Sequence, residues 1–491
     1  MKGIAGSLIC ASVLMMLCVA VCASDFADQV VDCVNPGFTP YDDPLSVLGQ
    51  PTTLIYDPGW PPYSPPGTYH CSMVYPAQST APDGSKLVLT LTEGGSVTVR
   101  FDSPVYDDPA NWYGKDFIVF GNSMFTGNGT AQEDTNMEEF TVKNGTEGVW
   151  EPMTVSVSQD GVNWYTYSSG PYADDHAPTQ AFAWDWVEDT WGPELDFTRP
   201  LPPSLAKSGF GFQPVAWGID AHRGSAGGTA FDLAELDLPV DAGTGWKWMQ
   251  YIRVTADQLD EDEFVIEGEV DAFARVGHSI APVSIGQAKS MPDGSLVIIE
   301  DVVVSASTFE VGRFCYVQHE DRSGAIRLMG RVLKRGDKTT VYGQLTTVDG
   351  QRAVICTAVN PPQGGLPLPA GEVVPVGMGG KAVHGFGLSA GGLLVRTWGR
   401  VTSVDSGAGT FALDDGSGLA VTCFGPRLVP SESDPPNPTD PAWGVVSDPE
   451  FAWPAVDGFV TVTGVVSVEE SGGEMVSVLR LRDQGDLHIR G

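Results

Sequence analysis

The chain has 491 residues, with 62 acidic side chains against 27 basic ones and a formal charge of -35. Phosphate backbones demand a basic surface, so this balance argues against general nucleic-acid binding. At roughly 100–200 residues per domain, the length corresponds to two to four domains.

The first 23 residues read as an export signal. Lys2 gives a positive start, Ile4 to Val21 is apolar, and Val21-Cys22-Ala23 places small residues before Ser24. That pattern predicts cleavage after Ala23 and a secreted or cell-surface location. The competing reading is a retained anchor, since a span needs about 20 apolar residues. Later apolar runs are all interrupted by Gly, Pro or a charge, so no membrane span is expected after the signal. Cys10, Cys18 and Cys22 belong to this segment. Of the rest, Cys33 and Cys71 flank a Pro-rich stretch. Export permits disulfides, and a Cys33–Cys71 bridge would help order that stretch. Cys315 and Cys356 either pair or remain buried free thiols.

Beyond the signal, helix signals are almost absent. Phe26–Val31 is a short helical turn at most. Gly (59) and Pro (37) punctuate short or alternating apolar runs, the pattern of an all-β chain. In "KLVLTLTEGGSVTVRFDSPV", Glu93-Gly94-Gly95 reads as a hairpin turn between two strands. "DFIVFGNSMF" reads as a strand buried on both sides. Met153, Val155 and Val157 alternate up to an Asp160-Gly161 turn. A long loop rich in Trp, Pro and Asp follows, then "GGTAFDLAELDLPV" and "WKWMQYIRVTAD" as closing strands. These make one sandwich domain, residues 24–260. Residues 261–282 read as its edge and a linker.

The remainder holds a weak internal repeat, in residues 283–362 and 391–491. A Gly/Pro-rich connector, 363–390, separates the copies, and the second carries an inserted loop, 426–454. Each copy runs a strand into an acidic turn ending in Ser-Gly, Asp321–Gly324 or Asp414–Gly418, with about five strands in all. That matches a small barrel of the oligonucleotide/oligosaccharide-binding type.

Two resemblances emerge from these blocks. "FADQVVDCVNPG", "EGGSVTVRFDSPV", "DFIVFGNSMF", "VSVSQDGVNWY", "GGTAFDLAEL" and "YIRVTAD", in that order, resemble a family of bacterial cell-surface proteins with a jelly-roll-like sandwich. The resemblance implies fold and location, not a reaction. Gly121 departs from it, because many relatives carry an acid after this Val-Phe pair. The C-terminal half resembles tandem oligonucleotide/oligosaccharide-binding-type barrels of exported bacterial proteins. The expected fold is therefore all-β, a jelly-roll-like sandwich followed by two small barrels.

Several groups are candidates for chemistry. Trp184, Trp186, Trp191 and Trp217 lie in or beside the acidic loop region. Aromatic faces with carboxylates suit a sugar, although large aromatics equally fill a Gly-rich core. Arg327, Arg331, Lys334, Arg335 and Lys338 cluster in the first barrel beside Phe314 and Tyr316. They are a nucleic-acid groove if exposed, and packing plus a solvated turn if not. Asp232 and Glu235, after Gly227-Gly228, are the candidate cation ligands, with calcium as the hard cation such oxygens take. No spacing matches a calcium or zinc motif, and no other cofactor is implied. His222 near Ser225 lacks a third orienting residue.

Together these predict an exported binding or structural protein without a catalytic site. A cell-surface glycan or another extracellular protein is the expected partner. A secreted carbohydrate-binding or carbohydrate-active protein is the first alternative. An extracellular nucleic-acid binder acting through the first barrel is the second.

Overall fold

The computed structural model describes residues 24–57, 66–77, 88–366, 371–372, 390–429 and 443–490, except positions 146, 176, 177, 261, 417, 419 and 472. The export segment lies outside the described residues, as do most of the connector and the middle of the inserted loop. The fold is all-β, a jelly-roll-like sandwich followed by two small barrels. Among the described residues, no helix is long and apolar enough to cross a membrane.

One sheet of the sandwich runs Gln29–Pro36, Leu89–Tyr106, Trp248–Thr255, Thr154–Ser158, Trp164–Thr166 in space, with Gly268–Val270 also on the long second strand. The other runs Thr229–Phe231, Phe117–Phe120, Ala272–Arg275. Alternation along Phe117–Phe120 divides the interior into two cores. Phe117 and Val119 join Phe231, Phe273, Val99 and Ile252 between the sheets. Ile118 and Phe120 point the other way, into a second core with Phe125, Phe197, Phe210 and Ile219 from the loops. Burying each such side chain contributes roughly 1.5–3 kcal/mol. This strand is buried on both sides, as its unbroken apolar run implied.

Four expectations need correction. Phe26–Val31 is not helical: Phe26 bridges Ala274, and a strand starts at Gln29. Glu93-Gly94-Gly95 is not a hairpin turn, because the strand runs unbroken from Leu89 to Tyr106. The glycines make an irregularity within it. Gly94 has φ +67°, and a Cβ on Gly95 would lie 2.5 Å from the Asn35 carbonyl oxygen. Residues 261–282 are more than edge and linker, since they supply a strand to each sheet. Finally, Cys33 and Cys71 are both free. Cys33 packs against the core between the sheets and Cys71 is buried in the other core, so the second sheet separates them. Cys315, Cys356 and Cys423 are free and buried.

The first barrel comprises Leu296–Ala306, Cys315–His319, Ala325–Met329, Lys338–Val348 and Gln351–Val359. Its strands close in the order first, second, third, fifth, fourth, and the third and fifth are parallel. The second barrel repeats that order with Leu394–Asp405, Thr410–Asp414, Ala420–Phe424, Phe459–Ser471 and Glu474–Arg480. The repeated acidic turns have the same cause. Asp321 accepts from the Ser323 N–H and Asp414 from the Gly416 N–H, each at 2.9 Å. The second barrel adds two short strands, Gly371–Glu372 beside its first strand and Leu487–Arg490 beside its fourth.

The three units pack on one another. Ile298, Tyr342 and Ala358 of the first barrel belong to the sandwich's outer core. Arg199 lies between the two, 4.0 Å from the Trp112 ring centre and 5.3 Å from that of Tyr342. Between the barrels, Tyr316 is fully buried beside Ala306, Leu394 and Val465.

Candidate functional site

A cleft of about 450 Å³ opens where the sandwich meets the first barrel. The sandwich contributes Trp186, Pro202, Leu205, Trp217 and Asp220, and the barrel contributes Arg331, Leu333, Val359 and Asn360 among others. Local structure explains how each wall is held. Trp186 follows the strand Phe182–Asp185, where Asp185 accepts from the Val187 and Glu188 N–H groups and so shapes the turn. The Trp186 N–H donates to the Gly330 carbonyl, which ties that turn to the barrel. Trp217 sits on the short helix Val215–Ala221, whose other face buries Val215 and Ile219.

Asp220 on the same helix pairs with Arg331 across the boundary. Burial pushes the Asp220 carboxyl up to about 6 despite the guanidinium and the Val359 N–H. Arg331 also lies over the Trp186 ring, 4.3 Å from its centre. The Trp186 Nε1 is buried without a hydrogen-bond partner. The cleft thus offers two indole surfaces, a fixed ion pair and a few polar atoms in an apolar wall. Such a lining suits a small organic ligand with ring faces.

Of the aromatic candidates, Trp186 and Trp217 therefore meet in one site, whereas Trp184 does not join them. Trp184 is 4% exposed in the outer core, and its Nε1 donates to Glu138 at 3.2 Å. Trp191 stacks on His70 with centroids 5.2 Å apart, another packing role.

The basic cluster of the first barrel is dispersed. Arg327 is buried over Phe314 at 3.6 Å, and Phe314 and Tyr316 are buried with it between the barrels. Arg331 belongs to the cleft, Arg335 pairs with Glu310 and Asp483, and Lys338 pairs with Asp301 and Glu320. Lys334 alone of the five is exposed without an ion pair among the described residues. The aromatic faces a nucleic-acid groove would use are covered by the second barrel.

Among the described residues, two groups of carboxylates could hold a cation. In each, one oxygen per residue lies within 4.8 Å of the others: Asp107, Asp116 and Asp232 in one, Glu151, Asp174 and Glu269 in the second. Asp232 thus has carboxylate neighbours, but Glu235 does not join them, because it pairs with Lys115 at 3.3 Å. Burial pushes Asp116 up to about 7, and burial with the Glu269 carboxylate pushes Glu151 up to about 10. Asp174 is raised well above the ordinary range by burial. Calcium takes about 6–8 oxygens, so three carboxylates supply only part of a shell. Gly121, where the resemblance led one to expect an acid, lies against Asp174. The carboxylate at that place comes from another segment of the chain.

Ser225 and His222 have structural tasks. The Ser225 hydroxyl donates to the Arg199 carbonyl at 2.6 Å, and His222 Nδ1 lies 3.2 Å from the Ser225 carbonyl. Sequence reasoning missed Asp220 as a site residue, because its partner lies far along the chain.

Comparison with known proteins gives no match to a family model, a curated protein or a solved structure.

Proposed function

We propose that this chain is an exported, non-catalytic binding protein of the cell surface or extracellular space, and that the cleft between sandwich and first barrel binds a neutral saccharide. The export pattern of residues 1–23 and the ordered blocks resembling bacterial cell-surface proteins support the location. The observation that carries the ligand is the pairing of Trp186 and Trp217 on one cleft of about 450 Å³. Sugar rings present C–H faces that pack on indole, while their hydroxyls need a few polar partners.

The non-catalytic reading is supported by the cleft's carboxylates. Glycoside cleavage uses two carboxyl groups about 5–9.5 Å apart. Asp220 is the one carboxylate in the described lining, and Arg331 engages it. Retention of the full-length protein on a glycan array, followed by titration calorimetry with the best glycan, tests the proposal. Trp186→Ala and Trp217→Ala should each weaken binding about tenfold, about 1.4 kcal/mol. Absence of any glycan signal, or turnover of a polysaccharide, would defeat it.

A further inference from the structure

The second barrel gathers three arginines, Arg396, Arg400 and Arg490, on one face of its sheet. The centre of that face is assembled from three strands. The pairing Trp398↔Thr461↔His488 forms one row across the sheet. The rows on either side are Glu372↔Arg396↔Thr463 and Asp414↔Arg400↔Phe459↔Arg490, so an acidic residue ends each row beside an arginine. Residues opposite one another in antiparallel strands share a face, so the nine side chains of the antiparallel rows, Asp414 included, point to the same side. Val395, Val401, Val460 and Val462 point the other way, into the barrel core.

A groove of about 390 Å³ lies on this face, lined by Arg396, Trp398, Thr461, His488 and Arg490. Trp398 is 44% exposed, an unusual position for an indole. Thr461 is only 7% exposed, yet its hydroxyl has no hydrogen-bond partner. A buried hydroxyl left unpaired costs about 1–3 kcal/mol, and Thr461 lines the groove, so a polar ligand atom there would satisfy it. Arg400 is paired with Asp457, whereas neither Arg396 nor Arg490 has an ion-pair partner among the described residues. Arg396 meets Thr463 through its Nε at 3.2 Å, leaving its terminal nitrogens for another acceptor.

We propose that this groove binds an acidic saccharide, a short uronate chain. A sugar ring packs on Trp398, a ring hydroxyl bonds the Thr461 hydroxyl, and carboxylates meet Arg396 and Arg490. Strand spacing sets the two arginine Cα atoms roughly 17 Å apart across a diagonal that passes over Thr461, with Trp398 and His488 on either side of it. Long side chains reaching inward from both ends bracket a short oligosaccharide. A uronate carries a carboxylate on each ring with hydroxyls between them, so it can meet the arginines and Thr461 together. A single-stranded nucleic acid asks for successive stacking faces, and Trp398 is the one large aromatic ring in the groove's described lining. This site is separate from the cleft and does not depend on it.

The test is titration of the full-length protein with a short oligogalacturonate, beside a neutral maltooligosaccharide and oligo(dT). Binding of the uronate at least about tenfold tighter than either comparison ligand is expected. Trp398→Ala and Arg490→Gln should each weaken it by about tenfold, with unchanged melting, because both side chains are exposed. Equal binding of the neutral sugar, tighter binding of oligo(dT), no uronate binding, or full affinity in both variants would overturn the proposal.

Discussion

The guanidinium of Arg331 lies 4.3 Å from the centre of the Trp186 ring while it pairs with Asp220, so one side chain joins the cleft wall to the domain boundary. Arg331→Ala should leave a buried carboxylate without its cation. The expected loss is about 3–5 kcal/mol at pH 8. Asp220 already titrates near 6, so protonation relieves the unpaired charge and the loss shrinks by pH 5. Urea denaturation of wild type and variant at the two pH values measures both effects. An equal loss at both would refute the assignment.

The buried carboxyls set an unusual pH dependence. Asp116 and Asp271 are pushed up to about 7, in each case mainly by burial. In the unfolded chain such groups titrate near about 4. Between those values the folded chain binds protons that the unfolded chain releases. These groups therefore make stability fall as pH rises from about 4 to about 7. Melting midpoints across that range should decline in the absence of divalent cations. A steady rise would contradict the buried placement.

Asp174 offers a sharper check on the carboxylate clusters. It sits at φ +54°, a conformation Asn tolerates well. Its Oδ1 accepts from the Ser123 N–H at 2.6 Å, a bond an amide oxygen can keep. Asp174→Asn replaces a carboxyl whose ionisation burial beside Glu151 and Glu269 opposes with a group that cannot ionise. It should stabilise the protein at pH 8 by about 1–2 kcal/mol. Destabilisation, together with a midpoint that rises with calcium in wild type only, would instead assign the cluster to a cation.

Tyr316 links the barrels through its hydroxyl, which lies 2.8 Å from both Gln351 Oε1 and Ser467 Oγ. Tyr316→Phe keeps the packing and leaves those polar groups without their central partner. A loss of about 1–2 kcal/mol is expected by calorimetry. Saccharide binding in the cleft should persist, because Tyr316 does not line it.

The cysteines give a chemical test of the packing. Burial pushes the Cys315 and Cys356 thiols up to about 12 and raises those of Cys71 and Cys423 as well. Little thiolate is present at neutral pH, and the sulfurs are enclosed. Alkylation of the native protein should spare these four, and denaturant should expose them without a reductant. A requirement for reductant at Cys33 and Cys71 would restore the bridge that the two-core arrangement excludes.

The sequence by itself determined the parts that are local in the chain. Alternation at Val97, Val99 and Phe101 marks a strand with one face inward. The unbroken run Phe117–Phe120 marks one buried twice. The acidic turns at Asp321 and Asp414 mark equivalent corners of two barrels. Each signal is a period or a turn, readable within a few residues. Only the tertiary structure decided which side chains meet. Trp186, Trp217 and Arg331 line one cleft although long stretches of chain separate them. Arg327 and Tyr316, which look like a binding groove in isolation, are covered by the second barrel. Arg396, Trp398, Thr461 and Arg490 form a basic groove that no single segment reveals, because strand pairing, not sequence proximity, brings their rows together.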